Sequence, residues 1–238
     1  MRLVHALTIL AALSMAAALP AAASILLQAD FAGHTPGATL GTGGAVAGEP
    51  VAFGNCTPVV VDAPLPGNAV AVADTADYGT ATVTFEWLAD VEVSSGVVTI
   101  STTLWFDSMD RYVYYVREHG SSTKSFATIT FQADGDVYVR DAAGAVGAVA
   151  AYTAGTAHLM QLVYDMNAGT YDVLWDGARV LEDRAHGITD RGVGRVIIGV
   201  DHDADVTGIV YFDDLIVELD DASPVEAATW SGVKDAWR

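Results

Sequence analysis

Cysteine is nearly missing from this chain. Its 238 residues include one, Cys56, so no intramolecular disulfide braces the fold and a packed core must hold it. Cys56 reads as a small, half-buried residue rather than a reactive one. Lys and Arg are scarce as well, 11 against 30 Asp and Glu, for a formal charge of −19. That balance repels nucleic acid and anionic lipid, both of which need clustered cations. It suits solubility and cation binding. The familiar catalytic signatures are missing too: there is no G-x-S-x-G elbow, no H-E-x-x-H and no phosphate loop. His34, His119, His158, His186 and His202 show no metal-ligand spacing among themselves. No segment between apolar runs carries a 3.6-residue period, which excludes crossover helices and a parallel sheet.

What is present begins with MRLVHALTILAALSMAAALPAAA (1–23): a charge at Arg2, an apolar run, a breaking Pro20 and an Ala21-x-Ala23 pattern. This reads as a signal-peptide helix, cleaved near Ser24. No other stretch is long and apolar enough to span a bilayer, so no membrane insertion is expected after cleavage. The mature chain then carries 10 basic and 30 acidic residues, a formal −20. It is expected to be exported: secreted, periplasmic or on the cell surface. Asn55-Cys56-Thr57 is formally a glycosylation sequon, meaningful only in a eukaryotic secretory route. The Ala-rich leader is of bacterial type.

From residue 25 onward, short runs rich in Val, Ile, Thr, Tyr and Phe alternate with Gly, Asp, Asn and Pro. Examples are TPVVVD (57–62), VVTISTTLWFD (97–107), RYVYYVREH (111–119), DVYVRD (136–141) and HLMQLVYD (158–165). Roughly a dozen strands are implied. Asp134-Gly135 and Asp165–Gly169 read as the turns of antiparallel hairpins. The fold class predicted is all-β, an antiparallel two-sheet β-sandwich over residues 24–222, followed by a short helical tail at 223–238. In that tail Ser223-Pro224-Val225-Glu226 has the form of a helix start, and Trp230, Val233 and Trp237 share one helical face. ATWSGVKDAWR resembles C-terminal tails of the form TWG-x-(I/V)-K-x-x-(Y/W)-R on exported bacterial proteins, departing at Ser231. That resemblance implies docking to a sorting or partner protein; the alternative is a frayed terminus.

The stretch GIVYFDDLIVELDD (208–221) sets Asp213 beside Asp214 in an otherwise apolar strand. Successive strand residues face opposite sides, so one carboxylate must point into the interior and needs a compensating cation, donor set or metal. Together with the first strand, LLQADFAGHTPG (26–37), and the hairpin YDMNAGTYDVLWDGARVLED (164–183), this stretch resembles the concanavalin A-like, or laminin-G-like, jelly-roll family of lectins and glucanases. The resemblance implies two curved antiparallel sheets, a face that binds carbohydrate, and a structural Ca²⁺ tying first strand to last. The matching positions are Asp30 and one of Asp213 or Asp214, with carbonyls and water completing the shell. A weaker acidic cluster, Asp201, Asp203 and Asp205, has D-x-D-x-D spacing but lacks the Gly and Glu of an EF-hand loop, and reads equally as a solvated turn.

Sugars stack on aromatic rings while Asp, Arg and amides take their hydroxyls. Trp105, Asp107, Tyr112, Tyr114, Arg117 and Trp175 supply such a mix. Parity places Tyr112 and Tyr114 on one face and Tyr115 with Arg117 on the other; one set must be core. The expected function is therefore non-catalytic binding of a glycan or cell-envelope polymer. A glycoside hydrolase on the same fold is the alternative, with Glu86, Asp90 and Glu92 as its acids. The tight E-x-D-x-(x)-E run of laminarinase-type enzymes is replaced here by an E-x-x-x-D first spacing. A third reading is a structural surface component without a small ligand.

Overall fold

The computed structural model describes residues 23–43, 48–75, 79–87, 92–119, 124–201 and 207–220. The expected leader helix and helical tail lie outside these residues. The rest is all-β: two antiparallel sheets packed face to face as a sandwich, with no helix among the described residues.

The strands, in chain order, are β1 (Ser24–Ala29), β2 (Ala52–Gly54), β3 (Val59–Val61), β4 (Ala69–Ala73) and β5 (Ala81–Glu86). They continue with β6 (Val97–Phe106), β7 (Tyr112–Arg117), β8 (Ser125–Phe131), β9 (Asp136–Asp141) and β10 (Gly144–Ala151). The last are β11 (Ala157–Asp165), β12 (Thr170–Trp175), β13 (Ala178–Ala185), β14 (Arg195–Val200) and β15 (Ile209–Asp220). The first sheet runs β13-β12-β11-β6-β15-β4-β3, with β1 added to the lower half of β15; the second runs β10-β9-β8-β7-β14-β5-β2.

Alternation in the sequence becomes alternation of burial. Along β6, Val98, Ile100, Thr102, Leu104 and Phe106 point inward and their neighbours outward. The inward faces meet in a core rich in rings: Phe212 packs edge to face on both Phe31 and Phe85, and Phe106, Phe131 and Tyr152 form a second cluster. One polar bridge crosses between the sheets inside this core, a 2.8 Å hydrogen bond joining the Thr102 and Tyr114 hydroxyls. At the side of the sandwich, buried Asp141 accepts from Tyr171 on the opposite sheet and from Arg184 on β13. The Asp134-Gly135 and Asp165–Gly169 segments form the expected hairpin turns. Gly135 and Gly169 adopt φ of 93° and 72°, and Asp165 Oδ1 accepts the main-chain N–H groups of Asn167 and Ala168.

Candidate functional site

The seam between first and last strands answers the question posed by the Asp pair. Strand β15 pairs along one edge with β4 through Ile209–Phe212, and with β1 through Leu215–Leu219. The partner changes at Asp213–Asp214, where the ladder to β6 slips and Asp214 takes a left-handed φ of 50°. This bulge lets Phe212 and Asp213 both face inward while Asp214 faces solvent. Asp213 is 6 % exposed, and its Oδ1 has no hydrogen-bond partner. Burial pushes its carboxyl up to about 7; the nearby Asp214 and Asp30 charges add to the rise, and an N–H from Asp214 opposes it.

The first-to-last pairing thus gathers Asp30, Asp213 and Asp214 into one electrostatic neighbourhood. Among the described residues no set of three His, Cys, Asp or Glu side chains forms a ready metal-binding group. A hard cation held here would have to take the orphaned Asp213 oxygen together with Asp30, main-chain carbonyls and water. Of the weaker cluster, Asp201 pairs with Arg111 at 3.0 Å, and Asp203 and Asp205 fall outside the described residues.

The acids of the hydrolase reading are differently occupied. Glu86 binds Arg195 at 2.8 Å through one oxygen and approaches the His119 ring at 3.4 Å through the other. Glu92 accepts the main-chain N–H groups of His119 and Gly192, tying down the loops beside the Val93–Val193 bridge. Asp90 lies outside the described residues. Glu92 therefore serves as a loop clamp, and Glu86 sits neutralised on the outer face of the second sheet.

The six residues expected to meet a sugar are parted among four places. Tyr112, Tyr114 and Trp175 belong to the core, at 0 %, 0 % and 6 % exposure, out of reach of a polymer. Asp107 organises its own loop, accepting from Ile209 N and from the Ser108 and Tyr112 hydroxyls. Trp105 sits on the outer face of the first sheet, edge to face with Tyr211 at 5.1 Å. Arg117 alone projects from the outer face of the second sheet, its guanidinium 4.4 Å above the Tyr115 ring and its Nε donating to Ser125 Oγ.

That second-sheet face carries a candidate site. Two adjoining hollows, about 460 and 340 Å³, share Thr128 and Arg140. The larger is lined also by Thr130, Gln132, Asp134 and Tyr138, and the smaller by Ser125 and Lys124. Register places Tyr115, Thr128 and Arg140 in one row across β7, β8 and β9, and Val113, Thr130 and Tyr138 in the next. Tyr138 is an exposed large ring on this face. The signal for these residues was readable in DVYVRD: two valines alternate with Tyr and Arg, so aliphatic burial turns Tyr138 and Arg140 outward.

Comparison with known proteins agrees at the level of fold. No family model and no curated protein sequence matches the chain. Solved structures do. The chain is similar to part of a sialidase, at 14 % identity and TM-score 0.56, over 70 % of this chain and 16 % of that one. It is similar to a carbohydrate esterase of the Shiga toxin-encoding bacteriophage phi24B, again at 14 % and 0.56, covering 84 % of this chain and all of that one. The receptor-binding domain of a botulinum neurotoxin C/D mosaic serotype matches at 9 % and 0.54, over 82 % of this chain and 47 % of that one. The class is thus an antiparallel, jelly-roll-like β-sandwich.

Proposed function

We propose that the chain is an exported, non-catalytic module on a concanavalin A-like frame that binds a glycan or cell-envelope polymer through the outer face of its second sheet. The observation carrying this reading is the double hollow over β8 and β9. There an exposed ring, Tyr138, stands beside two threonine hydroxyls, the Gln132 amide and an arginine. Ring faces take the apolar side of a pyranose, while hydroxyls and amides take its edge. The glycan-related neighbours support the reading at the level of fold.

At the seam of β1 and β15, a Ca²⁺ bound by Asp213 and Asp30 would neutralise the buried carboxylate and lock the first strand onto the last. Its part is structural.

The test is a binding panel of immobilised neutral and charged polysaccharides against the purified mature chain and its Tyr138→Ala variant. Loss of one stacking ring is expected to weaken binding about tenfold with an unchanged melting temperature. A variant that binds every retained polysaccharide as the parent does would remove the site from this face.

A further inference from the structure

We infer that the polymer bound on this face is anionic, a carboxylate-bearing polysaccharide held by Arg117 and Arg140; this rests on the glycan-binding reading of the same face. The reasoning starts from scarcity. With 11 Lys and Arg against 30 Asp and Glu, cations in this chain have carboxylates to spare as partners. Arg111, Lys124, Arg179, Arg184, Arg191 and Arg195 each make an ion pair. Among the described residues, Arg117 and Arg140 make none, and both lie on the outer face of the second sheet.

Chance placement would scatter unpaired arginines where the acidic residues are thinnest. Here acids stand close by, and one of them, Glu86, is already taken by Arg195 and His119. Arg195 lies directly opposite Arg117 in the strand register. Burial, aided by that neighbouring cation and opposed by Tyr115, lowers the Arg117 pKa. Arg117 and Arg140 therefore carry positive charge that no side chain of this face pairs, although Arg195 beside them is paired with Glu86, and an incoming anion would answer it.

The two arginines are also prepared for planar anions. Arg117 lies over Tyr115 with its Nε committed to Ser125 Oγ, which fixes the plane of the fork and leaves both Nη groups for a bidentate carboxylate. Arg140 stands two strands away, about 10 Å across the sheet, beside Thr128, which lines both hollows. Asp134 closes the far end of the larger hollow, where it can take only hydroxyls. A chain alternating acid groups and hydroxyls matches that polarity; a neutral glucan would leave both guanidinium groups unanswered. The overall charge repels polyanions, so any acidic polymer retained must be held by this local arrangement.

The experiment measures binding by calorimetry or affinity electrophoresis to polygalacturonate, dextran sulfate and neutral dextran, at low and at 0.5 M salt. The chains are the parent and its Arg117→Gln, Arg140→Gln, Arg140→Lys and Tyr138→Ala variants. The expected result is polygalacturonate binding that weakens with salt, falls about tenfold in each Gln variant, and is only partly kept by Lys. Dextran sulfate bound in preference to polygalacturonate would overturn the carboxylate assignment. Dextran bound as tightly as either, with both Gln variants unaffected and Tyr138→Ala weakened, would overturn the anionic class and leave glycan binding standing. If none of the three probes is retained, the glycan reading falls and the inference goes with it.

Discussion

Asp213→Asn tests the seam most directly. The carboxyl rises from 3.8 to about 7 on folding, and about 3 pKa units at 1.36 kcal/mol each set a ceiling near 4 kcal/mol. Local relaxation and water reduce that ceiling, so about 2 kcal/mol is the working figure. The folded-state pKa lies above the unfolded one, so the folded chain holds this proton more tightly. Its contribution to stability is intact below pH ~4 and is lost as the pH climbs through ~7. An amide of the same shape keeps an acceptor for the Asp214 N–H and presents a donor toward Asp30 and Asp214. In a chelating buffer at pH 8 the variant should therefore melt about 4–8 °C above the parent, at roughly 2–4 °C per kcal/mol for a domain of this size. At pH 4 the gap should shrink below about 2 °C. Millimolar Ca²⁺ at pH 8 should raise the parent and leave the variant unmoved. An equal gain at both pH values, or a variant melting below the parent in chelator at pH 8, would refute the buried-charge account. A parent indifferent to Ca²⁺ at pH 8 would remove the cation.

Two further substitutions probe the packing that positions the binding face. Tyr114→Phe strands the buried Thr102 hydroxyl and should cost about 1–2 kcal/mol in urea unfolding, whereas Thr102→Val combined with Tyr114→Phe should recover most of that loss. Gly199→Ala would drive a methyl group onto the Ala81 carbonyl and within 2.9 Å of Thr82 Cα; a loss of about 3 kcal/mol or more is expected by calorimetry, because the backbones of β14 and β5 cannot part without breaking their ladder.

The interior strands were legible because burial on one face imposes a period of two. ATVTFE, VVTISTTLWF and HLMQLVYD show that period and form β5, β6 and β11. The strands that lack this period, β2, β10 and β13, all lie at sheet edges. An edge strand pairs on one side only and need not bury either face fully. Strand β10, GAVGAVAA, has no fully buried residue, and two register shifts interrupt its pairing with β9. Strand β13, ARVLEDRA, is likewise partly or fully exposed throughout. With no core to select side chains, small and charged residues stand where periodicity would otherwise appear.

The site was harder to read for a different reason. Parity separated Tyr112 and Tyr114 from Tyr115 and Arg117 but could not say which pair the core takes, since a tyrosine suits either side. What decides is the cross-sandwich partner: Tyr114 meets Thr102 of β6, a contact between strands that no local pattern encodes. Once the Tyr114 side is assigned inward, Arg117 must face out. The pairing of β7 with β8 and of β8 with β9 then carries Arg140 and Tyr138 onto the same face. An arginine in a strand of a strongly acidic chain has its pick of carboxylates. When two on one face remain without any, the face itself is the feature to explain, and a ligand bearing the missing charge is the explanation that Arg140→Gln can remove without disturbing the fold.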